Sequence, residues 1–317
     1  MCAQPAIPYY AWQVEVMLQN FKDVGIHEKY EIRILFAYNI NETAIVKSNI
    51  EAVKKVENKF KDIAQFYYYQ DTRNYPISYI SSIRPNILKQ HFAAEYLNIP
   101  EAVFYHDCDI VFTKFPDFFD GLLEGKDWYV SDTRSYIGHK YILSKGEDVL
   151  NEMCSIVNID PKEVESREDQ SGGAQYLMKN VDFFFFQDME VHCERLFKEI
   201  NDLNRKKKIA DPSHHELQIW CADMWAILWG AWKRGYDTKI IPELDFCWAT
   251  DRVENWEKKY IFHNAGIVDA AKNEYFYKGD FRNKYPFLHE CETYRKDFAS
   301  YKYFEIVKSV GANSCLL

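Results

Sequence analysis

Two carboxylates interrupt an apolar run, and they are the first residues in this sequence whose types and spacing indicate chemistry. Residues 102–112 predict one buried strand, broken by Asp107-Cys108-Asp109. Alternation along an extended chain places Asp107 and Asp109 on the same side. Burying two carboxylates is costly unless a partner neutralises them. A hard divalent cation, Mg²⁺ or Mn²⁺, suits them because it takes carboxylate oxygens as ligands.

A histidine at the end of another short strand is the expected third metal ligand. Tyr260 to His263 predict that strand, and Asn264-Ala265-Gly266 follows directly. A lone histidine is more often a core or surface residue. Here the strand end and Gly266, which permits close approach of a bound cofactor, favour a ligand at His263.

Two basic residues are candidates for binding phosphate groups. Lys278 stands beside Gly279, and Arg84 falls in the first turn of a predicted helix. Either cation would pair with the charge of a nucleotide diphosphate. The alternatives are a solvated loop lysine and an ordinary surface arginine.

A second group of polar residues and glycines lies further along the chain. Asp223 stands in the middle of a predicted apolar helix, where a carboxylate needs a partner or a role. Two functional interpretations are a contact with the acceptor or sugar and a catalytic carboxylate. The structural alternative is a hydrogen-bonded residue that fixes helix packing. Asp169 and Gln170 are candidates for the same contacts. Gly172 and Gly173 either admit a ligand close to the backbone or form a plain tight turn.

Strands and helices alternate in a way that predicts where these residues are held. The order predicts an α/β protein with a mostly parallel central sheet flanked by helices and a small additional antiparallel sheet. Strands are expected at 1–5, 30–38, 64–70, 102–112, 127–132, 239–242 and 260–263. Helices are expected at 9–24, 82–97, 188–204 and 213–234. A further helix is expected to begin at a cap formed by Asn41-Glu42-Thr43 and to end at residue 60. Residues 166–179 are expected to turn helical after the paired glycines. Residues 183–186 are expected to form a buried strand or to pack in the core, and residues 205–208 are expected to form a solvated loop.

The ends of the first and third strands supply further candidates. Ligands of parallel sheets lie beyond the carboxyl ends of the strands. Gln4 and Pro5 at the end of the first strand, and Asp71 after the third, are therefore expected to contact a bound cofactor.

Composition limits the classes of protein that fit. The net charge of −9 argues against broad electrostatic attraction to nucleic acid, although a local basic groove stays open. None of the eight cysteines forms a C-x-x-C pair, so we expect buried free thiols in a reducing compartment. No apolar run approaches about 20 residues, so no membrane span is expected.

The residues above resemble those of a known family group. Asp107-Cys108-Asp109, then Ser171-Gly172-Gly173-Ala174-Gln175, then His263-Asn264-Ala265-Gly266 with Lys278-Gly279, is similar to the pattern of metal-dependent glycosyltransferases of GT-A fold. The likeness covers most of residues 1 to about 290. Pro8-Tyr9-Tyr10-Ala11-Trp12-Gln13 and the Asp-x-Asp region are more loosely similar to plant peptidyl hydroxyproline arabinosyltransferase and serine galactosyltransferase relatives.

The resemblance implies a nucleoside-diphosphate sugar donor, UDP-linked, and a hydroxyl acceptor. It implies Mn²⁺ or Mg²⁺ on Asp109 and His263, with Asp107 nearer the ribose or sugar, and it matches Lys278 to a lysine that follows the metal histidine. The acceptor stays open between a glycan, a protein side chain, a lipid head group and a modified base in phage DNA. For inversion, Asp223 or Asp169 would be the base, whereas the looser likeness leans to retention.

One glycosyltransferase domain over 1–317 is expected, with a nucleotide-sugar-binding half at 1–130, an acceptor-binding half at 131–290 and a tail at 291–317. Family members of the secretory pathway carry a signal or anchor segment that is not evident here. A cytoplasmic bacterial enzyme, or a viral or phage enzyme in the host cytoplasm, is therefore expected. The rival hypotheses are a metal-dependent nucleotidyltransferase or phosphohydrolase and a non-catalytic sugar- or nucleotide-binding module.

Overall fold

The computed structural model describes residues 1–39 and 43–314. This part of the chain contains ten strands and eleven α-helices. The strands are β1 (Cys2–Pro5), β2 (Arg33–Tyr38), β3 (Gln65–Gln70), β4 (Ala102–Tyr105), β5 (Ile110–Phe112), β6 (Trp128–Asp132), β7 (Gly172–Lys179), β8 (Thr238–Ile240), β9 (Phe246–Trp248) and β10 (Ile261–His263). The helices are α1 (Pro8–Val24), α2 (Thr43–Phe60), α3 (Ile83–Ala94), α4 (Arg134–Ile137), α5 (His139–Leu143), α6 (Glu147–Val157), α7 (Pro161–Ser166), α8 (Phe183–Ala210), α9 (Ala222–Lys233), α10 (Val253–Lys258) and α11 (Ala299–Ser314).

The chain forms two compact units. Unit 1 comprises Met1–Gln70, His106–Gly121 and Glu243–Leu317, and unit 2 comprises Asp71–Tyr105 and Leu122–Pro242. Within the described ranges, all seven cysteines are free thiols, and six of them are buried. No helix in the described ranges combines the length and the apolar character that a membrane crossing needs.

Unit 1 begins with a parallel sheet in the order β1-β2-β3. Helices α1 and α2 make the two crossovers, as parallel neighbours require. Pro8 opens α1, where its fixed φ suits the first helical position. The predicted α/β class and the order of these elements are confirmed. The expected cap at Asn41 and Glu42 lies outside the described residues.

A second sheet of unit 1, in the order β5-β10-β9, is mixed. Strand β10 runs antiparallel to β5 and parallel to β9. The side chain of Asn20 in α1 ties β5 to that helix, since its amide nitrogen donates to the Phe112 carbonyl at 3.0 Å and its oxygen accepts from the Phe112 amide at 2.8 Å.

Unit 2 contains a mixed sheet in the order β4-β7-β6-β8. Strand β7 pairs antiparallel with both β4 and β6, and β8 runs parallel to β6. Helix α8 packs against α3 and α9. Among the described sheets, only β1-β2-β3 is therefore wholly parallel, and the other two are mixed.

The apolar run 102–112 breaks at Asp107-Cys108-Asp109, as predicted, and does not continue as one strand. It divides into β4, which ends at Tyr105, and β5, which begins at Ile110. The intervening residues turn, and the backbone carbonyl of Asp109 accepts a hydrogen bond from the Asn264 amide at 2.9 Å. Polar side chains in this interval interrupt the apolar alternation that a continuous strand needs.

Three further expectations around unit 2 are corrected. Residues 183–186 begin α8 instead of forming a strand, because the Asp182 carboxylate caps the helix by accepting from the Phe185 amide at 2.7 Å. Residues 205–208 continue α8 as helix, where the Lys207 ammonium pairs with the Asp148 carboxylate at 2.6 Å. Residues 172–179 form β7 and do not turn helical, since they pair on both edges.

The helix expected over 213–234 is shorter. Helix α9 begins at Ala222, so Asp223 lies in its first turn and not in its middle. The preceding segment is held out of the helix by Asn204, whose side chain donates to the Leu217 carbonyl at 3.0 Å and accepts from its amide at 3.3 Å.

We expect Asn20→Ala to lower the free energy of unfolding by about 2–3 kcal/mol, because two hydrogen bonds to the buried backbone of Phe112 are lost. Urea unfolding followed by circular dichroism measures the change. Gln19→Ala is the matched control, since Gln19 bonds only to Asp23 on the surface, at 2.8 Å, and its loss should cost less than about 0.5 kcal/mol. Equal stability of the two variants would contradict the assignment.

Candidate functional site

Two carboxylates and an imidazole of unit 1 converge on one point. The candidate ligand atoms of Asp107, Asp109 and His263 lie within 4.8 Å of one another. The His263 Nε2 atom is 3.3 Å from Asp109 Oδ1 and 3.8 Å from Asp107 Oδ2. Asp109 and His263 are buried, whereas the side chain of Asp107 is 27% exposed. We call these three residues the acidic cluster.

Strand pairing explains why residues far apart in sequence meet here. The antiparallel register of β5 and β10 places His263 opposite Ile110, the residue after Asp109. The Asn264 amide donates to the Asp109 carbonyl and extends this pairing by one residue. The ring of Phe246 in β9 packs 5.2 Å from the imidazole ring and restricts its orientation.

Lys278 contacts the acidic cluster directly. Its ammonium group donates a hydrogen bond to Asp109 Oδ2, and the Lys278 side chain stays 29% exposed. The 3-10 turn Lys278–Phe281 carries this residue. The turn is anchored by Trp12 of α1, whose indole nitrogen donates to the Phe281 carbonyl at 3.2 Å.

Opposing effects act on the pKa of Asp109. Burial by itself would raise the pKa of this carboxyl, because the low-dielectric interior disfavours its charged form. The ammonium group of Lys278, followed by the electrostatic interaction with His263 and the hydrogen bonds from both residues, outweighs burial and holds the pKa of Asp109 well below its usual range. Asp109 is therefore a carboxylate over the whole ordinary pH range.

Buried polar groups next to the acidic cluster have spare hydrogen-bonding capacity. Neither polar atom of the Asn264 side chain, nor the Tyr303 hydroxyl, has a hydrogen-bond partner in the described part of the chain. Burial, with the Asp109 charge adding to it, raises the pKa of Tyr303 well above its usual value. Burial also raises the pKa of Tyr9 to about 12, with Lys278 acting in the opposite direction and Asp109 in the same one. These tyrosines are neutral donors beside the cluster.

The other expected site residues of unit 1 have roles in the fold. Gln4 and Pro5 lie at the end of β1, paired in register with Phe36 and Ala37. Gly266 has a φ of +87°, and a Cβ there would lie 3.0 Å from the ring of Trp248. Glycine is thus required at 266 by local packing, and a ligand contact there stays a prediction.

In unit 2, Asp223 is surrounded by hydrogen-bond donors. Its Oδ2 accepts from Arg84 Nη1 at 3.1 Å, and its Oδ1 accepts from its neighbouring Met224 amide at 3.1 Å. The Tyr79 hydroxyl lies 2.7 Å from Asp223 Oδ1 and 2.6 Å from the Trp220 carbonyl. Two residues predicted separately, Arg84 and Asp223, are thus an ion pair. Tyr79 was missed because it is 144 positions from Asp223 and no local pattern marks it.

Asp71, Asp169 and Gln170 each bond to an arginine nearby in sequence or in space. Arg73 binds both oxygens of Asp71, at 2.9 and 2.8 Å. Arg134 Nη1 donates to Asp169 Oδ1 at 3.1 Å, and the Asp169 side chain is 92% exposed. The Gln170 side chain accepts from Arg167 at 2.8 Å.

Gly172 and Gly173 lie inside β7, so the tight turn considered as an alternative is not found. A Cβ at Gly172 would lie 2.3 Å from Val130 Cγ2, and one at Gly173 would lie 2.4 Å from the Tyr176 hydroxyl. Close packing within unit 2 therefore requires both glycines, and their contact with a ligand stays a prediction.

Comparison with known proteins gives remote similarities. No protein-family model matches the chain, and no curated protein matches it. The apo structure of the bifunctional glycosyltransferase WbbM aligns over 84% of this chain, which spans 45% of that one, with 10% identity and a TM-score of 0.46. Apo mouse xyloside xylosyltransferase 1 aligns over 84% of this chain and 99% of its own, with 10% identity and a TM-score of 0.39. Likeness at these TM-scores assigns no activity to the chain.

We expect Mn²⁺ binding to depend on the charge of Asp109. Asp109→Asn keeps the shape of the side chain but removes an anionic ligand, and should weaken Mn²⁺ binding about 100-fold. Titration of free Mn²⁺ by electron paramagnetic resonance measures the affinity. Asp120→Asn is the matched control, because Asp120 is an exposed carboxylate of unit 1 paired with Lys29. Unchanged Mn²⁺ affinity in Asp109→Asn would contradict the site.

We expect Arg84→Met to destabilise the protein by about 3 kcal/mol, since it leaves the Asp223 carboxylate buried without its cation. Urea unfolding monitored by tryptophan fluorescence measures this. Arg195→Met is the control, because the Arg195–Glu199 pair is solvent-exposed and contributes about 0.5 kcal/mol or less. A cost for Arg84→Met no larger than that of the control would show that the buried pair is unimportant for stability.

Proposed function

We propose that the chain is a glycosyltransferase of GT-A type that moves a sugar from a nucleoside-diphosphate sugar to a hydroxyl acceptor. The observation that carries the proposal is the meeting of Asp107, Asp109 and His263 beside the ammonium group of Lys278. This arrangement combines ligands for a divalent cation with a separate cationic side chain. Both are needed where a diphosphate leaves.

The donor set of the acidic cluster fits a hard divalent cation. Two carboxylates and one imidazole are ligands that Mn²⁺ and Mg²⁺ accept, whereas soft metals prefer thiolates. With His263 neutral, as a ligand must be, the two carboxylates exceed the charge of Lys278 by one unit. That surplus of negative charge favours a further cation. We propose Mn²⁺ or Mg²⁺ held by Asp107, Asp109 and His263.

The bound cation would act as a Lewis acid that stabilises negative charge on the diphosphate leaving group. Lys278 is proposed to bind the same diphosphate, since its ammonium lies beside the cluster and part of its side chain reaches solvent. Asp107, the most exposed carboxylate of the cluster, is proposed to lie nearer the ribose or sugar. Asp109 is proposed as the fixed ligand, because its low pKa keeps it ionised.

The proposed reaction is retaining. A base beside the acceptor is needed only for inversion, and Asp223 is a weak candidate for one. Its carboxylate accepts hydrogen bonds from Arg84 and the Met224 amide and lies 2.7 Å from the Tyr79 hydroxyl. These groups compete with an acceptor hydroxyl for the carboxylate oxygens. Asp169 and Gln170 stay predictions for acceptor or sugar contacts.

We propose that residues 1–130, together with His263 and Lys278, bind the donor. We propose that residues 131–290 bind the acceptor. A UDP-linked sugar is the proposed donor. Gln4, Pro5, Asp71, Arg84 and the glycines of β7 stay predictions for donor contacts.

Donor cleavage tests the proposal without knowledge of the acceptor. The protein is incubated with UDP-glucose, UDP-galactose or UDP-xylose and Mn²⁺, and the release of UDP as the sugar is transferred to water is measured. We expect Asp109→Ala to lower the rate at least about 1000-fold and Lys278→Ala about 100-fold, because each removes charge stabilisation of the leaving group. Chelation of Mn²⁺ should have the effect of Asp109→Ala.

Asp120→Asn, outside the cluster, is expected to retain full activity. Cleavage of the donor to UMP and a sugar 1-phosphate, in place of UDP, would favour a phosphohydrolase. Conversion of the donor to UTP and a sugar 1-phosphate on addition of pyrophosphate would favour a nucleotidyltransferase. Full activity of Asp109→Ala would refute the proposed role of the acidic cluster.

A further inference from the structure

Unit 2 contains an open pocket of about 490 Å³ that lies outside the acidic cluster. This is within the size range of small-molecule sites. Its lining is polar and consists of Arg134, Ser135, Lys140, Tyr141, Ser144, Glu168 and Asp169. All of these residues belong to unit 2, so the pocket is complete within it.

Charges in the pocket lining balance. Two cationic residues, Arg134 and Lys140, face two anionic ones, Glu168 and Asp169. Arg134 is already bound to Asp132 at 2.8 Å and to Asp169 at 3.1 Å. A polyanion such as nucleic acid requires an excess of positive charge, which this lining lacks. A neutral ligand rich in groups that both donate and accept hydrogen bonds fits better.

An exposed indole lies outside this lining and is connected to it through neighbouring residues. Trp220 is 58% exposed, and no other of the eight tryptophans is comparably exposed. It lies nearly parallel to Tyr136, with ring centroids 6.4 Å apart and an interplanar angle of 18°. Tyr136 belongs to α4, the same helix as the pocket residues Arg134 and Ser135.

Hydrogen bonds fix Trp220 relative to the pocket wall. The indole Nε1 donates to Gln218 Oε1 at 3.3 Å, and the Gln218 backbone amide donates to the hydroxyl of the lining residue Tyr141 at 3.2 Å. The Trp220 carbonyl lies 2.6 Å from the Tyr79 hydroxyl. The polar edge of the indole is therefore engaged and its exposed apolar surface is held in place.

We infer that this pocket, together with the exposed face of Trp220 beyond its lining, binds a neutral saccharide: one sugar ring stacks on Trp220, and hydroxyls of the saccharide bond to Arg134, Asp169 and the neighbouring polar groups. Sugar rings present apolar C–H faces and a belt of hydroxyls, so they match an aromatic surface beside a charge-balanced polar lining. The binding of a saccharide here is inferred independently of the proposed function. The assignment of that saccharide as the acceptor rests on the proposed function.

Direct titration calorimetry without donor or metal tests the inference. The probes are neutral disaccharides of glucose, galactose, xylose and mannose, added to the full chain. We expect at least one to bind, Trp220→Ala to weaken that binding about tenfold, and Trp220→Phe to restore most of it. Phe184→Ala is the matched control, because Phe184 is an aromatic residue of unit 2 that is 63% exposed and lies outside the pocket lining. This variant should bind the disaccharide with the affinity of the wild type.

Circular dichroism and melting temperature establish that each variant is folded. Absence of binding by the whole panel, or equal affinity of Trp220→Ala and the wild type, overturns the inference. Tighter Trp220-dependent binding of a single-stranded oligonucleotide than of any disaccharide also overturns it. Failure of the wild type to cleave any nucleotide sugar, with saccharide binding intact, would instead refute the proposed function and leave the pocket assignment standing.

Discussion

The burial of Asp109 is the constraint on which the candidate site depends. Only 3% of this residue is exposed, and an unpaired carboxylate at such a position would cost several kcal/mol. Lys278 and His263 offset that cost with charge and hydrogen bonds. These partners lie more than 150 positions later in the sequence. The segment around Asp109 therefore depends on the folded unit for the groups that offset the burial of its carboxylate. The chemistry of the site and the stability of unit 1 therefore share one interaction.

Packing around this carboxylate brings the three segments together. The β5–β10 register sets the position of His263, and Trp12 sets that of the turn carrying Lys278 through the Phe281 carbonyl. Trp12 also belongs to a buried aromatic cluster with Phe276, Phe281 and Tyr303. A rigid apolar core of this kind keeps charged side chains in fixed geometry. The many aromatic residues thus serve the site indirectly, through packing.

Sequence reasoning succeeded where local pattern and chemistry agree. Asp107, Asp109 and His263 were predicted to meet because each stands at the end of an apolar run, and their candidate ligand atoms lie within 4.8 Å of one another. It failed where tertiary contacts decide. Helix α8 includes an aromatic run because of the Asp182 cap, and α9 starts late because Asn204 holds the backbone of Leu217. Side chains that bond across such distances in sequence leave no periodic signal.

Asp109 and Asp223 illustrate why a buried carboxylate does not by itself identify a metal site. Asp223 is surrounded by groups that can donate hydrogen bonds, namely Arg84, the Tyr79 hydroxyl and the Met224 amide. Asp109 shares its surroundings with a second carboxylate and an imidazole, groups that themselves offer lone pairs. Two carboxylates held together repel each other, and a cation between or beside them offsets that repulsion. The chemical type of the neighbours, more than burial, therefore separates a structural ion pair from a candidate metal centre.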